Sequence, residues 1–291
     1  MTILTPQRAR SCLEPVRRKL NSLGVDSDEQ LDAILSRIHV RPGIRRSADI
    51  LAAGTSPRHS TVLLGGVACL YERLPDGTRQ IYAFQYPGTI CDLNRHLLPE
   101  TSLEVAVGAV TKCTIGVIRQ DDLEQLIADY PSFGLALWRD AMLEASICRK
   151  TLVYATRQPA LQRVAHLLCE QLARQEAAGL DTPTISLTQM DVADAAGLSV
   201  VHVNRTFKEL RRLGLLSKSG RAVKVENKRK LASTARFSGT YLNMPWLLRH
   251  WQLEVAGPST RPDRSGAAPH PLNTATGLCT RPDADRSIGL Q

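Results

Sequence analysis

The sequence predicts an α+β chain: a small β-roll, then one long helix, then two short helices and a hairpin. Three observations predict it. Between about residues 40 and 118, short β-rich runs alternate with glycine- and proline-containing turns, and no helical stretch intervenes. From Pro131 the apolar spacing changes to a sustained three-four rhythm. Between residues 188 and 230, two short amphipathic segments separated by Gly197 precede a hairpin pattern. Residues 199–230 also hold ten Lys or Arg against Glu209 and Glu226, a net of +8 in a chain whose total is +9.

Leu13, Val16, Leu20 and Leu23 recur at helical spacing, and Asp28-Glu29 opens a second helix through Leu31, Ile34, Leu35 and Ile38. Strand candidates follow at 61–64, 67–71, 80–84, 104–107 and 114–118, with a hairpin signal at Pro75-Asp-Gly-Thr78. Short strands without crossover helices close into a barrel or roll, not a parallel sheet. Residues 132–154 read as one helix with a stripe of Leu135, Trp138, Met142, Ala145, Arg149 and Leu152. Leu137, Ala141 and Leu143 lie beside that stripe, more apolar surface than one roll covers. A two-fold dimerisation helix therefore fits better than an internal core helix. Leu161, Val164, Ala165, Leu168 and Leu172 begin a further helix, and 184–187 is a short strand. The expected organisation is a sensor-like roll with N-terminal helices (1–130), the dimerisation helix (131–155), a winged helix-turn-helix (156–248) and a disordered tail (256–291) rich in Pro, Ser, Thr and Gly.

In the helix pair, Val192, Ala193 and Ala196 give the first helix an apolar face, Gly197 supplies the turn, and Ser199 stands where a cap is wanted. Val203, Phe207 and Leu210 face inward from the second helix, leaving a basic outer face. Ser217 to Val225 reads as a wing turning at Ser219-Gly220. Alone, such a pair could be an ordinary packing unit with a solvated basic face. The wing and the concentrated charge favour a polyanionic duplex whose major groove takes the second helix. The expected base contacts are Val200, Val201, His202, Asn204 and Arg205. The expected backbone contacts are Thr188, Ser199, Lys208, Lys218, Arg221 and Lys224.

A hydrophobic fraction of 43% is globular, and no apolar run reaches a membrane span. Without a basic-then-apolar start, a cytoplasmic location is expected and no membrane partner. The seven cysteines are scattered with no C-x-x-C pair, and read as buried thiols. An enzyme of cupin type is a different class, but the histidines offer no H-x-H or H-E-x-x-H pattern, and no phosphate-binding or nucleophile motif occurs. No metal, cofactor or catalytic residue is expected. A dimeric adaptor with a vestigial winged helix is the other alternative, and the basic face around Arg205 is what it would have no reason to keep.

In order and motif, the chain resembles the superfamily of the cyclic-AMP receptor protein and the fumarate–nitrate reduction regulator (Crp/Fnr). The resemblance is strongest at Leu187-Thr-Gln-Met-Asp-Val-Ala-Asp-Ala-Ala-Gly-Leu-Ser199, Val203-Asn-Arg205 and Gly220-Arg221. It extends to Gly66-Val-Ala-Cys-Leu-Tyr71, Asp76-Gly77 and Tyr86-Pro-Gly-Thr-Ile90. It implies a cyclic-nucleotide-binding-like roll and a homodimeric regulator that binds double-stranded DNA at palindromic promoter sites and contacts RNA polymerase. Nucleotide binders of the family hold ribose and phosphate with Gly-Glu-Leu and, ten residues on, Arg-Ser. Here Cys91-Asp92-Leu93 and Ser102-Leu103 stand instead, so no guanidinium meets a cyclic phosphate and cyclic-nucleotide independence is expected. The cluster-bearing branch uses grouped N-terminal cysteines, where this chain has only Cys12. His39, His59 and His96 are isolated, so no haem is expected either. The pattern resembles members from plant-associated and photosynthetic bacteria with degenerate pockets. The roll then holds another small molecule, senses redox state, or only scaffolds. Cys91, Asp92 and Ser102 are the candidate effector positions. Cys91 is the thiol candidate if it is partly exposed and near Arg95 and His96. Where the family's recognition helix begins Ser-x-Glu-Thr-Val-x-Arg, this chain has Val201 for the glutamate and keeps Arg205.

Overall fold

Ser27 starts the second of two N-terminal helices by accepting the Gln30 N–H at its hydroxyl, while Leu31, Ile34 and Leu35 turn inward. The computed structural model describes residues 6–55, 58–93, 105–220 and 222–253. Helices α1 (Pro6–Ser22) and α2 (Asp28–Ser36) pack on a roll of seven strands. These are β1 (His39–Ile44), β2 (Asp49–Leu51), β3 (His59–Gly65), β4 (Ala68–Arg73), β5 (Arg79–Gln85), β6 (Ala106–Ala109) and β7 (Cys113–Arg119). They form two antiparallel sheets, ordered β1-β7-β3 and β2-β6-β4-β5. The β4–β5 hairpin turns at Pro75–Thr78, where the Asp76 carboxylate accepts the Thr78 N–H at 2.9 Å.

Two strands were not expected from the pattern. β1 contains Pro42 and Gly43 and is mostly exposed, but it is an edge strand with a bulge between Pro42 and Ile44, where a missing donor is tolerated. β2 is only three residues long. The strand expected at 104–107 lies at Ala106–Ala109, and residue 104 falls outside the described residues. So do Arg95, His96, Ser102, Arg221 and the tail 256–291.

Helix α3 (Gln120–Asp129) leads to the long helix α4 (Pro131–Arg157), whose Pro131 occupies the first turn, where its missing N–H costs nothing. Phe133, Ala136, Leu137, Ile147 and Tyr154 bury one face of α4. Leu135, Trp138, Met142 and Leu152 stay exposed, Trp138 by 60%. α5 (Ala160–Ala177) is almost wholly buried beyond Val164 and carries the helix pair α6 (Gln189–Ala196) and α7 (Val200–Arg212). The three-stranded sheet β8 (Thr184–Ile185), β10 (Ala222–Val225), β9 (Leu216–Ser219) follows from the wing pairing back on the strand before α6.

The chain then continues through α8 (Lys228–Ala235), a 3-10 turn (Thr240–Leu242) and α9 (Pro245–His250). Phe237, Leu242, Leu247 and Trp251 are buried, so this segment is core. Polar bonds fix it. Trp251 Nε1 donates to Glu176 at 2.9 Å, and Tyr154 Oη donates to the Arg236 carbonyl at 3.0 Å.

Tyr241 Oη donates to Glu170 at 2.6 Å and lies 3.0 Å from His166 Nε2, which fits a neutral imidazole with its proton on Nε2. Tyr154 stacks on that ring, centroids 3.5 Å apart. Burial, aided by the Lys150 charge, pulls His166 down to about 3, while burial pushes Glu170 above its ordinary value. The two act oppositely on stability. Below pH 6.5 the unfolded histidine gains a proton that the folded one refuses, so its share falls as pH drops; the Glu170 share falls as pH rises above its unfolded pKa. Relative to His166→Phe, the wild type should therefore lose up to about 1.4 kcal/mol per pH unit between pH 6 and 4 in urea unfolding. Parallel curves for the two proteins would show that the ring titrates normally.

Candidate nucleic-acid interface

Thr188 and Asp191 cap α6 reciprocally. The threonine hydroxyl accepts the Asp191 N–H at 3.2 Å, and the Asp191 carboxylate accepts the Thr188 N–H at 2.9 Å. Gly197 ends α6 at φ +60°, the left-handed region that favours glycine. Arg163 of α5 donates to the Ala196 carbonyl at 2.9 Å, placing a cation at the helix C-terminus. The inward residues are as the spacing requires: Val192, Ala193 and Ala196 of α6 and Val203, Phe207 and Leu210 of α7 are all buried.

Asp191 also joins the helix pair to the roll. Arg79 of β5 donates to Asp191 at 2.9 Å and to Asp194 at 2.8 Å, and Arg46 reaches Asp191 at 3.2 Å. Burial opposes the Arg79 charge, but its bonds to Asp194 and Asp191 outweigh that and hold the guanidinium above its ordinary value. Arg79 lies over the Tyr71 ring, and Tyr71 Oη donates to Asp49 at 2.6 Å. This bridge was missed. The spacing Thr-x-x-Asp in the sequence is a capping-box signal that could have picked out Asp191, but nothing local indicates Arg79, 112 residues away.

Along α7, Val201, His202, Arg205 and Lys208 form an exposed stripe, with Val201 72% exposed. Ser199 caps the helix by accepting the His202 N–H at 3.2 Å. Three expected contact residues stand elsewhere. Val200 is half-buried and packs on the core. Asn204 donates its side-chain amide to Gln189 of α6 at 3.0 Å, which turns it toward the neighbouring helix. The Thr188 hydroxyl donates to Asp191 at 2.6 Å, and the residue lines a cleft against the roll. The core claims Val200 and the neighbouring helix claims Asn204, neither visible to a helical wheel, while the cap of its own helix claims Thr188.

In the wing Ser219 pairs with Ala222, and Gly220 has a positive φ of +60°. Lys218 is exposed. Lys224 pairs with Glu226 at 3.1 Å, and Ser217 also donates to Glu226, at 2.5 Å, so both are engaged within the hairpin.

In the roll, Cys91 is buried, with its thiol 3.9 Å from the Thr89 carbonyl. Burial, then the neighbouring Asp92 and Cys113, push that thiol far above its ordinary value. Cys91 thus agrees with its reading as a buried thiol: its surroundings are apolar, and it does not hold the partly exposed position that a redox role requires. Asp92 is fully buried and accepts the Thr61 N–H at 3.0 Å, tying its turn to β3. On α4, Ala145 is half-buried and Arg149 is exposed alongside Leu135, Trp138, Met142 and Leu152. No helix among the described residues is long and apolar enough to cross a membrane.

Two family models match this chain: the cyclic nucleotide-binding domain over residues 44–130 and the Crp-like helix-turn-helix domain over residues 162–234. The chain is 33% identical over 158 residues to the nitrogen fixation regulation protein FixK of Bradyrhizobium diazoefficiens, covering 53% of this chain and 65% of that protein. It is also 33% identical over 162 residues to the transcriptional activatory protein AadR of Rhodopseudomonas palustris, covering 53% and 64%. The matches thus span just under two thirds of those relatives. In structure it is similar to FixK2 from Bradyrhizobium japonicum, with a TM-score of 0.59 and 22% identity over 68% of this chain and 96% of that one. A nucleotide-binding-type roll followed by a Crp-like helix-turn-helix, with relatives of this kind, places the chain in the Crp/Fnr family of transcription regulators.

Proposed function

We propose that this protein is a sequence-specific DNA-binding regulator that acts as a homodimer on palindromic sites and needs no cyclic nucleotide. The observation that carries the reading is the outer stripe of α7: Val201, His202, Arg205 and Lys208 stand exposed on a capped helix backed by a packed core. A helix so presented fits the major groove, with Arg205 reaching guanine or phosphate and Val201 meeting a thymine methyl. Lys208 and Lys218 supply sequence-independent phosphate contacts, as does Ser199 at the helix start. The exposed face of α4 supports dimerisation, and two half-sites one helical turn apart then match two copies of α7. Residues 1–130, 131–155 and 156–248 accordingly serve as sensor-like roll, dimer helix and DNA reader. Contact with RNA polymerase and a cytoplasmic location follow from the family resemblance.

A binding selection on random duplex DNA tests this. We expect a palindrome whose half-site departs from the family's common sequence at the position read by Val201. Arg205→Ala should weaken specific binding by about 1–3 kcal/mol. Lys218→Ala should weaken binding to all sequences alike and lower the salt slope by about one. Adding cyclic AMP or cyclic GMP should leave operator affinity unchanged. Recovery of no enriched sequence, or equal binding by the Arg205→Ala protein, would refute the reading.

A further inference from the structure

We propose that this protein binds a compact, largely apolar small molecule with a neutral head group that both donates and accepts hydrogen bonds, in a cavity outside the roll. The cavity holds about 530 Å³, within the range of drug-sized ligand sites. It lies where α1, the end of β5, α4, α5 and the C-terminal segment meet. Three of these walls, α1, α4 and residues 242–250, fall outside both matched family regions. None of Cys91, Asp92 or Leu93 lines it, so it is distinct from the position where relatives hold a nucleotide.

One wall is built to engage a polar group. Arg174, 6% exposed, donates through Nη2 to Glu144 Oε1 at 2.5 Å and sits over the Tyr86 ring. Its Nη1 and the Glu144 Oε2 are buried and make no hydrogen bond to the protein. A donor and an acceptor are thus held side by side by the ion pair that joins them, and leaving both unsatisfied is costly. Once the two side chains turn toward the cavity, a carboxamide or hydroxy-carbonyl head satisfies both at once, its oxygen accepting from Arg174 and its N–H or O–H donating to Glu144. A carboxylate would set a second anion against Glu144 and satisfy only one of the pair. Of the other charges that line the cavity, Lys19 pairs with Asp140 at 2.8 Å, Glu176 pairs with Lys228 and Arg18 donates to the Ala178 carbonyl at 3.1 Å, while Asp181 and His250 are exposed. Pro87, Leu143, Ile147, Leu242, Met244 and Trp246 supply apolar surface for the ligand body.

The site bridges α4, whose exposed face we assign to the dimer, and α5, on which α7 packs. A bound molecule therefore touches both parts that DNA binding needs. That regulatory consequence rests on the proposed function; occupancy of the cavity does not, and the test keeps them apart.

The probes are 2-naphthamide and 2-naphthoate, which share a body and differ in the head, titrated calorimetrically into the full chain without DNA. We expect one saturable site per chain for the amide, with a Kd of about 10–300 μM, and binding of the carboxylate weaker by about tenfold or more. Arg174→Lys keeps a cation for Glu144 but lacks the second nitrogen and should cost the amide about tenfold. Ala177→Phe fills the cavity and should abolish binding. Saturation absent to 1 mM, equal or tighter binding of the carboxylate, or undiminished binding by the Ala177→Phe protein would each overturn the proposal. An operator shift assay on ligand-free protein tests DNA binding separately.

Discussion

Asp191→Ala should lower stability by about 3 kcal/mol, measured as a fall in the urea midpoint at unchanged slope. The carboxylate is nearly buried and serves two structures at once. It accepts from Thr188 at the start of α6 and from Arg79 and Arg46 on the roll. Loss of a helix cap accounts for about 1 kcal/mol of the effect. The remainder comes from leaving a half-buried guanidinium with a single carboxylate, Asp194. Arg79→Ala removes one of the two roll-side partners of Asp191 and keeps the cap and Arg46, so a double-mutant cycle isolates the Arg79–Asp191 link between roll and helix pair. A coupling of at least about 1 kcal/mol is expected. Additive losses would mean that the contact carries no energy and that the two parts are held by apolar packing alone.

Met142→Glu should convert the protein to a monomer. Met142 is 52% exposed on its own chain, so the substitution leaves the fold alone, unlike a change at the buried Leu137 or Ile147. In the proposed dimer it stands near the two-fold axis, where two carboxylates would face each other away from water. That arrangement should weaken association by about 100-fold or more. Operator affinity should collapse with it, because each half-site then binds one reader independently. Light scattering showing an intact dimer for this variant would place the interface elsewhere.

The comparison of sequence with structure separates two kinds of information. Gly197, Ser199 and the inward triad Val203, Phe207 and Leu210 act within a few residues of one another, and all stand as the spacing requires. The β4–β5 hairpin and the long helix were legible for the same reason: a turn signal and a period are local. What escaped reading depends on partners distant in the chain. Asn204 looks outward on a helical wheel until Gln189 is placed beside it. That Cys91 shares an apolar cluster with Cys113 and Ile115 is not visible from its neighbours in the chain. Arg79 is unremarkable until the helix pair docks. β1 escaped because an edge strand accepts the proline that argues against a central one.

The C-terminal segment carries a consequence for how the molecule is made. Trp251 reaches back 75 residues to Glu176, and Tyr241 reaches 71 to Glu170. During synthesis at about 5–20 residues per second, α5, α6 and α7 leave the ribosome seconds before the aromatic groups that complete their core. Over that interval Glu170 and His166 lack Tyr241, and the apolar face of α4 is already out. Assembly on the ribosome therefore has a built-in order: the roll can close first, and the helix pair gains its last supports only once the following segment has been translated. A nascent chain halted just after the wing should be digested by protease within α5 to α7, whereas one released past Trp251 should resist.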